Sequence, residues 1–214
     1  MSSVEEPSTE NRAPRSRARN GQSRASVVAA ALKSFAARGY FGASMRDIAS
    51  EANIGLAGIY HHFGSKQDLL QAVMTMTLQD VLASTRARVA AASADDPAAQ
   101  LDALVRAWVE FHTVRQEEAR VGASEVHCLE GAGRDRVIAL RDEQETLFVD
   151  VVERGVRLGA FTTPYPREAA RAMINMGIAV ATWYRLDGDI SPHGLAERYA
   201  RMSLDMVGAL ATRD

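Results

Sequence analysis

The chain has 214 residues and a formal net charge of −2, and 47% of its residues are hydrophobic. That share is enough for a sizeable core and excludes a globally disordered chain. The single cysteine, Cys128, excludes an internal disulfide and is typical of a reducing compartment. No apolar run approaches the roughly 18 residues of a membrane span, and the N-terminus lacks the apolar core of a secretory signal. We therefore expect a soluble cytoplasmic protein without membrane contact.

The charge is unevenly distributed along the chain. Residues 11–66 contain nine basic and two acidic side chains, whereas the remainder is acidic overall. A basic end on an acidic body favours a polyanionic partner at that end, the alternative being a solvated basic tail. Residues 1–22 are rich in Ser, Pro and Arg with little to bury, so we predict a disordered basic arm there.

The first predicted helix runs from Ser23 to Arg38, where apolar residues recur with helical spacing. Gly39 stands where a helix needs a left-handed residue at its C-terminal end, and we expect Tyr40 or Phe41 to fold back on the last turn.

The next two predicted helices are short and lie within the stretch SMRDIASEANIGLAGIYHHFGSK, residues 44–66. The first opens with a capping box, in which Ser44 accepts from the N–H of Asp47 and the Asp47 side chain reaches back. Asn53 tolerates a left-handed backbone and makes a tight turn, and the second helix runs from Gly55 to Phe63. Two short helices joined this tightly are typical of a helix-turn-helix motif, whose second helix enters the major groove of DNA.

Six further helices are predicted from apolar periodicity and from glycine and proline breaks, and no alternating β pattern appears. They cover residues 66–92, 98–115, 117–129, 134–158, 166–185 and 192–211. The predicted fold is all-α with nine helices. We expect a DNA-binding domain at residues 23–68 and a ligand-binding and dimerisation domain at residues 69–214.

The candidate DNA contacts lie in and around the helix-turn-helix motif. Tyr60 and Lys66 are placed to reach phosphates, and His61 could reach a phosphate or a base edge. The alternative for Tyr60 is that it is a core aromatic. Apolar contact with thymine methyl groups and close backbone approach to DNA are the other contacts that we expect. The predicted set is Arg24, Ser44, Arg46, Leu56, Ala57, Gly58, Tyr60, His61 and Lys66.

The stretch SMRDIASEANIGLAGIYHHFGSKQDLL resembles the DNA-binding domain of the TetR family of bacterial one-component transcriptional regulators. The resemblance implies a homodimer whose last two helices form a four-helix bundle. It also implies a pocket in the C-terminal domain and ligand-controlled release from an operator in double-stranded DNA. The family often carries polar residues at the positions of Gly55, Leu56 and Gly58, so the operator sequence is left open. The segment TWYRLDGDISPHGLAERYARMSL is also similar to the C-terminal end of regulators of lipid and sterol breakdown, some of which sense coenzyme A thioesters.

The C-terminal half contains the candidate dimer and ligand residues. Residues 169–184 are apolar around most of a helix circumference, and a helix buried on all sides in a protein this size calls for a second subunit. The last helix supplies a stripe that can join the same bundle. Large or polar residues on helices 5 to 8 are candidate ligand contacts, although each could be ordinary core. The candidates are Trp108, Phe111, His112, His127, Phe148, Met173, Asn175, Met176 and Trp183. Asn175 stands out among them because an amide on an otherwise apolar helix needs a partner.

Two other functions stay open: a DNA-bound dimer with no small-molecule ligand, and an enzyme or metal carrier on a helical bundle. Glu110 and His112 are two residues apart, and so are Glu125 and His127. The two members of each pair therefore lie on different helix faces, whereas metal sites in helical bundles use Glu and His three residues apart. No Ser-His-acid arrangement or phosphate-binding glycine loop is evident. We therefore expect no catalysis, no metal and no cofactor, and favour a repressor released by a small apolar or acyl-CoA-type effector.

Overall fold

The computed structural model describes the backbone of residues 13–209 and the side chains of residues 24–209. Over this range the chain is all-α, as predicted, with nine α-helices, one short 3₁₀ turn and no strand. The helices are α1 Ala13–Gly42, α2 Met45–Glu51, α3 Leu56–His62, α4 Lys66–Ala91, α5 Pro97–Val114, α6 Gln116–Ser124, the 3₁₀ turn η1 Val126–Cys128, α7 Gly131–Arg157, α8 Pro166–Trp183 and α9 Pro192–Met206.

The first helix begins earlier than predicted, at Ala13 rather than Ser23. Helix α1 therefore extends into the predicted basic arm at residues 13–22, while residues 1–12 lie outside the described residues. Arg, Ala and Gln are good helix formers, and extending an existing helix adds a hydrogen bond per residue without requiring a buried stripe. Gly39 has a φ of 67°, as its predicted role requires, and Tyr40 folds back so that its ring centroid lies 6.0 Å from that of Phe35.

Two hydrophobic cores divide the molecule, and α4 contributes to both. The N-terminal core contains Phe35, Ile48 and Ile59 from the first three helices together with Leu70 from α4. The C-terminal core includes Val81, further along the same helix. A continuous helix therefore crosses the predicted domain boundary at residue 68.

The N-terminal core also recruits residues that lie far along the chain. Val121 of α6, Leu129 directly after η1, and Val137 of α7 are all buried in this core. The short helices of the motif thus rest on a platform supplied by the second half of the protein.

Helix α5 is the centre of the C-terminal region, packing against α4, α7, α8 and α9. Trp108, in the middle of α5, is 5% exposed and contacts Phe148 of α7 edge-on, with ring centroids 5.8 Å apart. Because α5 packs on both α8 and α9, each of these two helices keeps a side that α5 does not cover.

Several helices end at other places than predicted. Helix α9 ends at Met206 rather than near residue 211, since Gly208 takes a φ of 60° and the Val207 carbonyl accepts from the N–H groups of Thr162 and Thr163 at 3.0 Å. Helix α8 ends at Trp183, and the predicted sixth helix is split into α6 and η1. Over residues 13–209, no helix combines the length and the apolar character needed to cross a bilayer.

Candidate DNA-binding surface and ligand cavity

The entry to α2 follows half of the predicted capping box. The Ser44 hydroxyl accepts from the backbone N–H of Asp47 at 3.1 Å. The Asp47 carboxylate does not complete the box but accepts from Arg38 Nη1 at 3.1 Å, because the end of α1 lies within its reach. This ion pair ties α1 to α2.

The turn between α2 and α3 is a Schellman motif. Asn53 has a φ of 54°, and its N–H donates to the Ser50 carbonyl at 3.0 Å. The N–H of Ile54 donates to the Ala49 carbonyl at 3.0 Å, which completes the paired bonds of this motif. The predicted left-handed turn at Asn53 is therefore confirmed.

Helix α3 has one buried and one exposed side. Ile59 is fully buried, and Phe63 directly after the helix is 4% exposed, so this side anchors α3 to the core. The other side carries exposed residues at positions that share one helix face: Leu56, Ala57, Tyr60 and His61. We call these four residues the groove face. Tyr60 is 50% exposed, which removes the alternative that it is a core aromatic.

The two glycines of this region are not equivalent. Gly55 is the N-cap of α3, with a φ of −71°, so it does not carry the cost of a glycine inside a helix. Gly58 is half-buried beside Ile54, and a Cβ added there would lie 3.5 Å from the Ile54 side chain, an ordinary contact. Gly58 therefore lies next to the turn rather than on the groove face.

The basic residues of the predicted set differ in their availability to DNA. Lys66 already has partners within the protein: its Nζ donates to the carbonyl oxygens of Tyr40 and Ala43 at 2.8 and 2.9 Å and lies 4.4 Å from the Tyr40 ring centroid. It is half-buried because it satisfies carbonyls at the C-terminal end of α1. Arg46 is exposed, and so is Arg24, whose guanidinium lies 4.9 Å from the Phe63 ring centroid.

A cavity of about 350 Å³ lies in the C-terminal region between α4, α5, α6, α7 and α8. Its apolar wall is formed by Leu78, Val81, Trp108, Phe111, Ile174 and Ile178. Charged residues also line it: Glu118, Arg141, Asp142, Glu145 and Arg171. The three acidic and two basic side chains give the lining a net charge of −1, and Arg171 pairs with Glu145 at 2.8 Å.

Four of the nine predicted ligand contacts line this cavity: Trp108, Phe111, His112 and Asn175. Asn175 is also exposed on α8, so its amide faces outward as well as toward the cavity.

The other five predicted ligand contacts lie elsewhere. Phe148 and Met173 are buried core residues, at 0% and 2% exposure, and Met176 packs against the same core. Trp183 is the last residue of α8 and 51% exposed. His127 is exposed in η1, beside Cys128, because α6 ends at Ser124 and the chain then changes direction.

His112 is a neutral polar group in the cavity wall. Its side chain is 3% exposed, and its Nδ1 lies 2.7 Å from the Trp108 carbonyl, to which it donates. Burial lowers the pKa of His112 to about 4, so the ring carries no charge near neutral pH. Trp108 is fixed in turn, since its indole N–H donates to the Ile174 carbonyl at 3.1 Å.

Gln144 on α7 lines the cavity but was missed by the sequence analysis. It is 3% exposed, and its Oε1 lies 3.0 Å from the hydroxyl of Thr85. Its spacing offered a signal, because Gln144 is in helical phase with the buried residues Val137, Phe148 and Val151.

Helix α6 connects the cavity to the helix-turn-helix region. Ala119 and Gly122 line the cavity, and Glu125, directly after the helix, accepts from the backbone N–H of Tyr40 at 3.0 Å. Gln67 of α4 adds a second link, since its Nε2 lies 2.7 Å from the Cys128 carbonyl and 3.0 Å from the Tyr40 hydroxyl. One short helix therefore lines the cavity along most of its length and is followed directly by a residue that bonds the end of α1.

The outer sides of α8 and α9 carry large apolar residues that the single chain leaves exposed. Trp183 is 51% exposed, Met202 50% and Met206 38%. Exposed apolar residues of this size on the last two helices are typical of a surface that a second subunit covers.

A helix-turn-helix with an exposed second helix, joined to a helical region with an internal cavity, defines the class of helical DNA-binding transcriptional regulators. Comparison with known proteins agrees with this class. Residues 27–73 match the family described as bacterial regulatory proteins, tetR family, and residues 94–207 match the tetracyclin repressor-like C-terminal domain. The chain belongs to the TetR family of bacterial regulators, and it is a transcriptional regulator rather than an enzyme.

Individual relatives extend the match over most of the chain. The transcriptional repressor KstR2 of Rhodococcus jostii (strain RHA1) is 31% identical over 180 residues, which is 83% of this chain and 86% of the relative. A solved tetR-family regulatory protein from Rhodococcus RHA1 is 29% identical with a TM-score of 0.82, covering 88% of this chain and 98% of its own. The regulator AibR, solved with isovaleryl coenzyme A and operator DNA, shares the fold with a TM-score of 0.77 at 23% identity, covering 88% of this chain and all of its own.

Proposed function

We propose that this regulator is a cytoplasmic repressor that leaves its operator when a small, largely apolar, acyl-type molecule enters the cavity. The observation that carries the proposal is the position of α6, which lines the cavity with Ala119 and Gly122 and holds the end of α1 through Glu125. A ligand that displaces α6 would therefore act directly on the DNA-binding region. The relative KstR2 is named as a transcriptional repressor, which supports repression as the mode of control.

The cavity supports a ligand with an apolar body. Its volume of about 350 Å³ falls in the range of small-molecule sites, and Trp108, Phe111 and Ile178 supply apolar and aromatic lining. AibR is a relative in fold that was solved with an acyl-CoA, isovaleryl coenzyme A. An acyl-CoA-type effector for this chain is consistent with both observations.

In the proposed DNA complex the groove face of α3 enters the major groove. Leu56 and Ala57 would contact thymine methyl groups, while Tyr60 and His61 would reach phosphates or base edges. Ser44, Arg46 and Arg24 would contact the backbone next to the groove. Two copies joined through α8 and α9 would place their recognition helices about one helical turn, or about 34–36 Å, apart.

Replacing Tyr60 with Ala tests the groove face. We expect operator affinity, measured by fluorescence anisotropy, to fall at least about tenfold while the dimer stays intact. The matched control is Tyr165→Ala, since Tyr165 is also exposed, at 66%, but lies at the start of α8. Equal affinities for the Tyr60 variant and the unmodified protein would refute the groove assignment.

A ligand screen tests the cavity. A molecule that binds only the folded protein at about 100 times its Kd adds roughly 2.7 kcal/mol to stability, a clear thermal shift. We expect such a shift with acyl-CoA esters, together with loss of the operator complex in a gel-shift titration. If no apolar or acyl compound produces either effect, the alternative of a regulator without a ligand is favoured.

A further inference from the structure

The cavity contains a buried polar group whose hydrogen-bonding capacity is only half used. Among the described residues, five buried side-chain polar atoms lack a hydrogen-bond partner, and Gln144 Nε2 is the one whose residue lines the cavity. Buried polar groups normally have partners, because an unpaired donor in a low-dielectric interior has lost its hydrogen bonds to water without replacement. Such a group at a ligand cavity points to a partner supplied by the ligand.

The orientation of the Gln144 amide follows from its other contact. The Thr85 hydroxyl, fully buried, lies 3.0 Å from Gln144 Oε1 and about as close to the Val81 and Leu82 carbonyls. The hydroxyl has one proton, and these two carbonyls lie inside α4, where the helix itself supplies N–H partners. In the structure the hydroxyl donates to Gln144 Oε1, and the NH₂ group is left as the unpaired donor.

The charged side chains around this amide do not favour an anion. The cavity lining has a net charge of −1, because its three acidic residues outnumber its two basic ones, and His112 is neutral, as described above. The acidic residues are Glu118, Asp142 and Glu145, the basic ones Arg141 and Arg171, and Arg171 is paired with Glu145. A buried carboxylate would therefore meet a lining that is negative overall, whereas a neutral carbonyl oxygen needs only a hydrogen-bond donor. The free protein has already desolvated this donor, so a ligand oxygen gains the bond without a further desolvation cost for the amide.

We propose that Gln144 is the polar anchor of the cavity and that it binds the carbonyl oxygen of a neutral acyl group, such as a thioester, ester or ketone, in preference to a free carboxylate. This inference rests on the acyl-type effector proposed above and specifies which atom of that effector the protein recognises. Thr85 acts as a positioning residue, because it holds Gln144 Oε1 and so leaves the NH₂ group of the amide as the free donor.

The central comparison of the test is between two ligands that differ only at the carbonyl oxygen. Straight-chain acyl-CoA thioesters of increasing length are titrated into the full-length protein by calorimetry. The tightest binder is then compared with the S-alkyl-CoA thioether of the same chain length, which lacks the carbonyl oxygen, and with the free fatty acid. We expect the thioester to bind at least about tenfold more tightly than either comparison compound.

Two variants assign the preference to the proposed residues. In Gln144→Leu, which keeps the side-chain volume but cannot donate, we expect the thioester and the thioether to bind within about twofold of each other. Thr85→Val should reduce the preference without abolishing it. The ratio of the two affinities separates recognition from packing, because a general loss of packing weakens both ligands alike.

The possible outcomes distinguish this inference from the proposed function. If the unmodified protein binds thioester and thioether equally, or if Gln144→Leu keeps the preference, the role of Gln144 is refuted while the acyl effector stands. If no thioester binds the unmodified protein, the acyl-type effector is itself wrong and the carbonyl anchor is refuted with it.

Discussion

Gly177 on α8 allows Trp108 to pack against the helix backbone, and adding one methyl group there tests this arrangement. A Cβ at position 177 would lie 2.2 Å from Trp108 Cδ1 and 2.3 Å from its Nε1. Ordinary contacts begin near 3.4 Å, so in Gly177→Ala the indole must retreat by about 1 Å. Trp108 is 5% exposed and edge-on to His112, with ring centroids 4.3 Å apart, so it has little room to retreat.

The expected sign follows from three magnitudes. Alanine is better than glycine inside a helix by about 1 kcal/mol. Against this, overpacking a core costs about 1–3 kcal/mol, and loss of the bond from the Trp108 indole to the Ile174 carbonyl costs about 1 kcal/mol. The net effect of Gly177→Ala should be a destabilisation of about 1–3 kcal/mol.

Gly122 supplies the matched control. It also lies in a helix that lines the cavity, but a Cβ at this position would meet nothing within 4 Å. Gly122→Ala should therefore stabilise the protein by about 0.4–1 kcal/mol.

Urea unfolding at fixed protein concentration measures both variants, since dimer stability depends on concentration. Opposite signs are expected for the two changes in unfolding free energy. If Gly177→Ala is as stable as Gly122→Ala, the tight packing of Trp108 on α8 is not a property of the protein.

Three further predictions concern the DNA-binding region, the cavity and their connection. Lys66→Ala should destabilise the protein by about 1–3 kcal/mol without changing the salt dependence of operator binding. Arg46→Ala should instead lower the slope of log affinity against log salt concentration by about 1, with little loss of stability. A changed slope for Lys66→Ala would show that this residue contacts a phosphate. The pKa of His112 is about 4 in the folded protein and about 6.5 in the unfolded chain, so between these pH values only the unfolded chain binds the proton. The stability that the neutral ring contributes is therefore fully present above pH about 6.5 and is lost as the pH falls toward about 4. Between pH 7 and pH 5 the unmodified protein should lose about 2 kcal/mol more unfolding free energy than His112→Gln, and equal losses would contradict a buried neutral ring. Glu125→Ala should increase amide hydrogen exchange at the end of α1 and reduce the effect of the effector on operator affinity. The control Glu130→Ala, at an exposed position, should do neither. An unchanged effector response in Glu125→Ala would mean that Glu125 does not couple the cavity to the DNA-binding region.

The helix-turn-helix was predictable because its determinants are local. Ser44 as N-cap and Asn53 in a left-handed turn act within a few residues of their own positions, and the sequence displays both. The role of Lys66 depended instead on where the end of α1 lies in space, 26 residues earlier in the chain, which periodicity does not reveal.

The cavity was only partly predictable for a similar reason. Two aromatic residues of α5 that were predicted as ligand contacts, Trp108 and Phe111, line the cavity, since the period of a long helix fixes its buried side. Which buried residue borders empty space, and which borders another side chain, depends on the mutual placement of five helices. Phe148 is therefore core and Gln144 is a wall residue, although both occupy the same face of α7.

The connection between cavity and DNA explains why a small ligand could be sufficient for control. Allosteric coupling typically amounts to about 1–3 kcal/mol, and a hydrogen bond to a charged acceptor contributes about 1.5–3 kcal/mol. Loss of the single bond from the Tyr40 N–H to Glu125 is therefore of the right size to change operator affinity measurably. Because α6 has only nine residues and is followed directly by η1, a displacement at Gly122 reaches Glu125 within one turn of helix. The ligand does not have to deform the long helix α4, whose burial in both cores makes it the stiffer of the two routes.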